Sequence, residues 1–142
     1  MVEEILFENI LYALIVRANF HESNVKFFSN VNEPLQLGYM NRPKGHKISP
    51  HKHNIVKREV ALTQEVLFIK SGIIRVDFYT SNDDYLESRM LNKGDVILLA
   101  NGGHGFEMIE KSEILEVKNG PYAGDFDKIR FEPIEKINLI VK

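Results

Sequence analysis

The chain has 142 residues, a formal net charge of −2, an isoelectric point near 6.2 and no cysteine. One domain of this length buries about 70% of the surface of its unfolded form, so no disulfide or structural metal is needed merely to fold. The charge balance excludes an overall basic field for nucleic acid or anionic membrane. The missing cysteines exclude thiol catalysis, zinc fingers and disulfide frameworks. The longest apolar stretch near the N-terminus, Ile10 to Val16, is too short to span a bilayer, and no export signal is visible there. A single cytoplasmic domain spanning 1–142 is the expectation.

Taken in chain order, the segments read as short strands divided by turns. Residues 2–9 mix Ile5, Leu6 and Phe7 with Glu3, Glu4 and Glu8, and fit either a helical turn or an edge strand. The runs that follow are rich in β-branched and aromatic residues, at 10–18, 25–30, 35–41, 55–62, 65–70, 73–80, 86–91, 96–100, 105–109, 113–118, 128–132 and 136–141. The clearest is 73–80, where Ile74, Val76 and Phe78 alternate with Arg75, Asp77 and Tyr79, the pattern of a half-buried strand. Turn signals stand between the runs, among them Lys70-Ser71-Gly72, Asn92-Lys93-Gly94-Asp95 and Asn119-Gly120-Pro121. Many short strands at regular spacing predict an all-β antiparallel sandwich or barrel.

Four side chains stand out within that pattern. His51 and His53 are two residues apart, so on a strand they share one face. Glu65 opens the run to Gly72 in phase with Leu67 and Ile69, which predicts an inward-facing carboxylate that needs a partner. His104 follows the buried-type run Val96 to Ala100, inside Asn101-Gly102-Gly103-His104-Gly105. If all four side chains meet inside a barrel, they can hold one divalent metal ion. Three imidazoles and a carboxylate suit Zn, Mn, Fe, Ni or Co without choosing among them. Read singly, each also fits an ordinary solvated loop, strand or turn position.

These spacings resemble a known family. Gly45, His51, His53, Glu65 and Gly72 resemble the first motif of the cupins, and Gly94-Asp95, Ala100, Gly102 and His104 resemble the second. The resemblance implies a cupin double-stranded β-helix, or jelly-roll barrel, with His51, His53, Glu65 and His104 in the metal-ligand places. The gap from His53 to Glu65 exceeds the family's usual spacing and Glu59 lies nearer. The distance to Gly72 and the strand phase favour Glu65. Ala100 replaces the expected proline, and Met108 stands where an asparagine often closes the motif. Gln36 to Met40 and Glu116 to Tyr122 further resemble small bacterial cupins associated with surface-polysaccharide and sugar-nucleotide gene sets.

Other residues are candidates for the pocket. Gln36, Tyr39 and Arg42 precede the His-x-His segment, Arg58 sits in the long gap, and Tyr122 follows Gly120-Pro121. Arginine suits phosphate or carboxylate, and tyrosine a sugar face or hydroxyl, although packing or solvated roles fit these positions as well. No phosphate loop, dinucleotide fingerprint or nucleophile elbow is present. The expected function is a metal-dependent enzyme of isomerase or epimerase type acting on a sugar or nucleotide-sugar. The alternatives are a non-catalytic sugar-binding module and an Fe(II)-dependent dioxygenase. The resemblance also implies a homodimer, for which the apolar N-terminal run offers surface.

Overall fold

The computed structural model describes residues 1–142. It is all-β apart from two short 3-10 turns, and every strand pair is antiparallel. Ten strands form: β1 (Val2–Phe7), β2 (Ile10–Val16), β3 (Asn24–Phe27), β4 (Gly38–Asn41), β5 (Glu65–Ser71), β6 (Ile73–Tyr79), β7 (Tyr85–Asn92), β8 (Val96–Leu99), β9 (Gly103–Met108) and β10 (Glu113–Lys118). They make a five-stranded sheet in the order β1-β2-β8-β5-β10, a three-stranded sheet β7-β6-β9, and the separate hairpin β3-β4. No helix is long and apolar enough to cross a membrane.

The period-two pattern sets the layers. In β2, Ala13 and Ile15 face the main core, while Leu14 and Val16 face the opposite side. The main core lies between the two larger sheets. Leu67 and Ile69 of β5 and Ile97 and Leu99 of β8 meet Ile74, Val76 and Phe78 of β6. On the other side of the large sheet, Leu14, Val16 and Leu98 are covered by Phe20, Phe28, Leu35 and Leu37. Gln64 fastens that outer layer: its Oε1 accepts from Leu35 N–H at 3.1 Å and its Nε2 donates to Glu33.

Within residues 2–9, Val2–Phe7 forms an edge strand joined to β2 by a tight turn at Glu8-Asn9, both at positive φ (49° and 62°). That is the backbone a two-residue hairpin requires. The apolar run Ile10 to Val16 is not a free surface. It is β2, held between β1 and β8, with Tyr12 to Val16 buried.

Three expected strands do not form. Residues 42–64 contain no strand or helix, so the run at 55–62 has no ladder partner. Residues 128–132 also lack regular structure. In the run at 136–141, Lys136–Asn138 is a 3-10 turn and Val141 makes one parallel bridge to Ser88. The C-terminal segment crosses β7 here, with Ser88 N–H donating to Ile140 and Lys142 N–H to Ser88.

A candidate small-molecule site at the Glu65–His104 pair

Glu65 and His104 reach each other because two strand phases coincide. Glu65 is the first residue of β5 and shares the inward face of Leu67 and Ile69. His104 lies opposite Phe78 in the β6–β9 ladder and so shares Phe78's inward face. Gly102 makes the entry to β9 possible. It holds φ +68° with Tyr12 Cε1 2.3 Å and Tyr79 O 2.4 Å from where a Cβ would stand. Only glycine takes that turn at that closeness.

His104 Nε2 lies 3.2 Å from Glu65 Oε2. The glutamate side chain is 6% exposed and the histidine 26%. The His104 hydrogen bond holds the Glu65 carboxyl below the usual carboxylate range, opposed by burial and assisted by the charges of His104, Lys128 and Lys118. Lys128 Nζ is 4.0 Å from Glu65 Oε1. The pair is thus an ionised carboxylate with an imidazole beside it, at the edge of the main core.

A cavity of about 890 Å³ opens on this pair. Its walls are the start of β9, residues 60–63 ahead of β5, and the irregular segment from Asn119 to Pro133. Lys128 and Arg130 bring positive charge; Tyr79, Phe126 and Phe131 bring aromatic surface. Phe131 packs on Tyr79 with ring centroids 5.0 Å apart, and Tyr79 Oη accepts from Ile134 N–H at 3.1 Å, which ties the C-terminal wall to β6. Asn119 Oδ1 accepts from Gln64 N–H at 2.8 Å and fixes the other end of that wall beside Glu65. The size suits a small ligand, and the mix of apolar surface with a few convergent polar groups is that of a ligand site.

The expected residues divide into groups. Glu65 and His104 come together. His51 and His53 stand beside each other, ring centroids 5.5 Å apart, but on the exposed segment 42–63. No group of three or more His, Cys, Asp or Glu side chains in the structure could hold a metal ion. The four expected ligands as placed therefore do not fit one divalent centre, because the segment carrying two of them has no strand partner to hold it against β9.

None of the five other candidates lines the cavity. Gln36 donates to the carbonyls of Asn30 and Glu33 in the outer layer. Tyr39 packs edge-on against Phe20 at 5.1 Å. Arg42 donates to Asn24 at 3.1 Å. Arg58 reaches only the carbonyl of Val56. Tyr122 is 73% exposed, with Lys118 over its ring. The cavity residues that sequence reasoning misses are Tyr79, Asn119, Lys128, Arg130 and Phe131. Simple alternation puts Tyr79 on the solvent face of its strand, and the others lie on segments without a periodic signal. Glu107, near His104 in sequence, points to the opposite face and pairs with Arg75 at 2.7 Å and Lys136 at 3.3 Å. No family model, curated protein or solved structure matches the chain.

Proposed function

We propose that this chain is a cupin-type β-roll that binds a small polar metabolite of the sugar or nucleotide-sugar class and moves a proton on it, in an isomerisation or epimerisation. The observation that carries the reading is the 3.2 Å contact between His104 and Glu65 at the wall of the cavity. An imidazole beside a buried carboxylate is a proton-transfer pair. The carboxylate orients the ring, and the ring takes or returns the proton. A proton α to a carbonyl is the natural target, since its removal leaves an enolate that a nearby cation can stabilise. Lys128, whose ammonium neighbours Glu65, and Arg130 on the same wall are the available cations. Phe126 and Phe131 on the cavity wall offer faces for a sugar ring.

Deuterium exchange tests this directly. The protein is incubated in D₂O with a panel of keto-sugars and nucleotide-linked keto-sugars, and exchange at the α-carbon is followed by NMR. The expected result is exchange with at least one substrate, reduced at least about a hundredfold in His104→Ala. Saturable binding with no exchange for any substrate would favour the non-catalytic module.

A metal-centred reading draws on the neighbouring rings of His51 and His53. It requires the segment that carries them to bring both rings to Glu65 and His104. Elemental analysis of purified wild-type protein and of the H51A/H53A and Glu65→Gln variants tests it. A stoichiometric divalent metal lost in both variants supports it; metal content unchanged in either removes it. Oxygen consumption with bound iron would instead indicate the dioxygenase.

A further inference from the structure

Every residue from 42 to 63 is exposed, and the stretch contains no strand or helix. The charge of its first part, residues 42–58, is unlike that of the rest. It carries Arg42, Lys44, Lys47, Lys52, Lys57 and Arg58 and no acid, a formal +6. Against a total of −2, that leaves −8 on the remaining residues. The near-neutral total conceals a basic segment on an acidic body. His46, His51 and His53, three of the chain's five histidines, stand among these cations.

The six cations are uncommitted. The body's carboxylates find their cations within the body: Glu3 pairs with Arg17, Glu87 with Arg89, Glu107 with Arg75 and Glu113 with Lys70. No ion pair uses any of the six. Arg42 donates to Asn24 at 3.1 Å and Arg58 to the Val56 carbonyl at 3.4 Å, and Lys44, Lys47, Lys52 and Lys57 make no side-chain hydrogen bond. The rings of His51 and His53 stand edge to face at 77°, both on exposed residues. Free cations interleaved with exposed aromatic rings are what phosphates and unstacked bases require.

We propose that residues 42–58 bind single-stranded nucleic acid without sequence preference. The six cations hold its phosphates, and the histidine rings stack on its bases. Two other anionic partners fit less well. A bilayer surface calls for an amphipathic helix with apolar or aromatic anchors, and this segment has no helix and no Trp, Phe or Tyr. A duplex offers phosphates but keeps its bases stacked inside, out of reach of the rings. A rigid duplex or a flat bilayer also brings its charge close to the acidic body, whose field fades only over about 8 Å at physiological salt. A flexible single strand can follow the basic segment alone. This inference does not depend on the proposed reaction.

The test is fluorescence anisotropy on the full-length chain, with a chelator present so that no metal on the histidines intervenes. The probe is a labelled single strand of mixed sequence and about 12 nucleotides, within the span of one small binding site. DNA and RNA versions distinguish the two sources. Each cation that meets a phosphate releases a counterion, so log K falls with log salt by about 0.7 per contact on a single strand. Six contacts give a slope of about −4, and binding about 300-fold weaker at 200 mM than at 50 mM salt. K47Q/K52Q/K57Q should halve that slope to about −2. H46A/H51A/H53A should weaken binding at least about tenfold with the slope unchanged, because stacking releases no counterion. Neither strand bound by wild type, a slope unaltered by the lysine variant, or an affinity indifferent to the histidines would overturn the proposal. So would tighter binding to a matched duplex or to phosphatidylserine vesicles.

Discussion

Gly102 offers a measurement of how the turn into β9 holds His104. Gly102→Ala imposes two separable costs. The left-handed backbone at φ +68° costs an L-residue about 1–2 kcal/mol. The new Cβ would also stand 2.3 Å from Tyr12 Cε1, 2.4 Å from Tyr79 O and 2.5 Å from Tyr12 Cδ1. Tyr12 is 4% exposed and Tyr79 3%, so neither moves aside into solvent. Overpacking a dense site costs about 1–3 kcal/mol more. The expected loss is therefore about 2–5 kcal/mol, or roughly 8–20 °C in Tm for a domain of this size. Two controls separate the costs. Gly124 has a similar φ, +69°, with nothing within 4 Å, so Gly124→Ala should lose only the backbone share. Gly105 has no positive φ and one ordinary contact at 3.9 Å, so Gly105→Ala should lose less than about 1 kcal/mol. Urea denaturation followed by circular dichroism gives all three numbers. If Gly102→Ala falls within about 0.5 kcal/mol of Gly124→Ala, the steric argument is refuted.

The Glu65 carboxyl titrates lower in the folded state than in the unfolded chain. Its ionised form therefore adds stability above the unfolded value, and that contribution disappears as pH falls through the folded one. Glu65→Gln should then be destabilising near neutral pH, with a gap to wild type that narrows as denaturation is repeated in acid; a gap constant with pH would count against the His104–Glu65 bond. Arg17 clamps Glu3 at 2.6 Å and the buried Asp95 at 2.9 Å, and also donates to the Met90 carbonyl, so Arg17→Met should cost about 1–3 kcal/mol in chemical denaturation, Asp95 keeping only the N–H groups of Ala18 and Asn92. Arg17→Lys should recover only part of that, because one ammonium cannot span both carboxylates as the guanidinium does. Phe78→Ala, at a core position 1% exposed, should cost about 3–5 kcal/mol, whereas Phe68→Ala, 40% exposed on the opposite face of the large sheet, should cost far less; equal losses would mean the main core is misplaced.

Alternation of apolar and polar residues made the all-β class legible in the sequence, along with most of the strands of the two larger sheets. It works because a strand half-buried on one face must alternate, as β6 does, whereas β2 and β8, covered on both faces, read as short continuous apolar runs. The inward phase of Glu65 was legible for the same reason: Leu67 and Ile69 fix which face of β5 is buried, and Glu65 is two residues further along that face. Tertiary structure alone decided which strand ends come together. The meeting of Glu65 with His104 depends on β5 and β6 lying in facing sheets and on β9 pairing with β6, a pairing that leaves no local trace. It also decided the fate of 55–62, whose residues favour a strand but cannot make one alone, since ladder hydrogen bonds need a neighbour. Lys128, Arg130 and Phe131 likewise join the site only because the C-terminal chain folds back across β6, held by Tyr79. Composition and period are local properties of a chain, whereas a cavity wall is assembled by contacts between residues far apart along it.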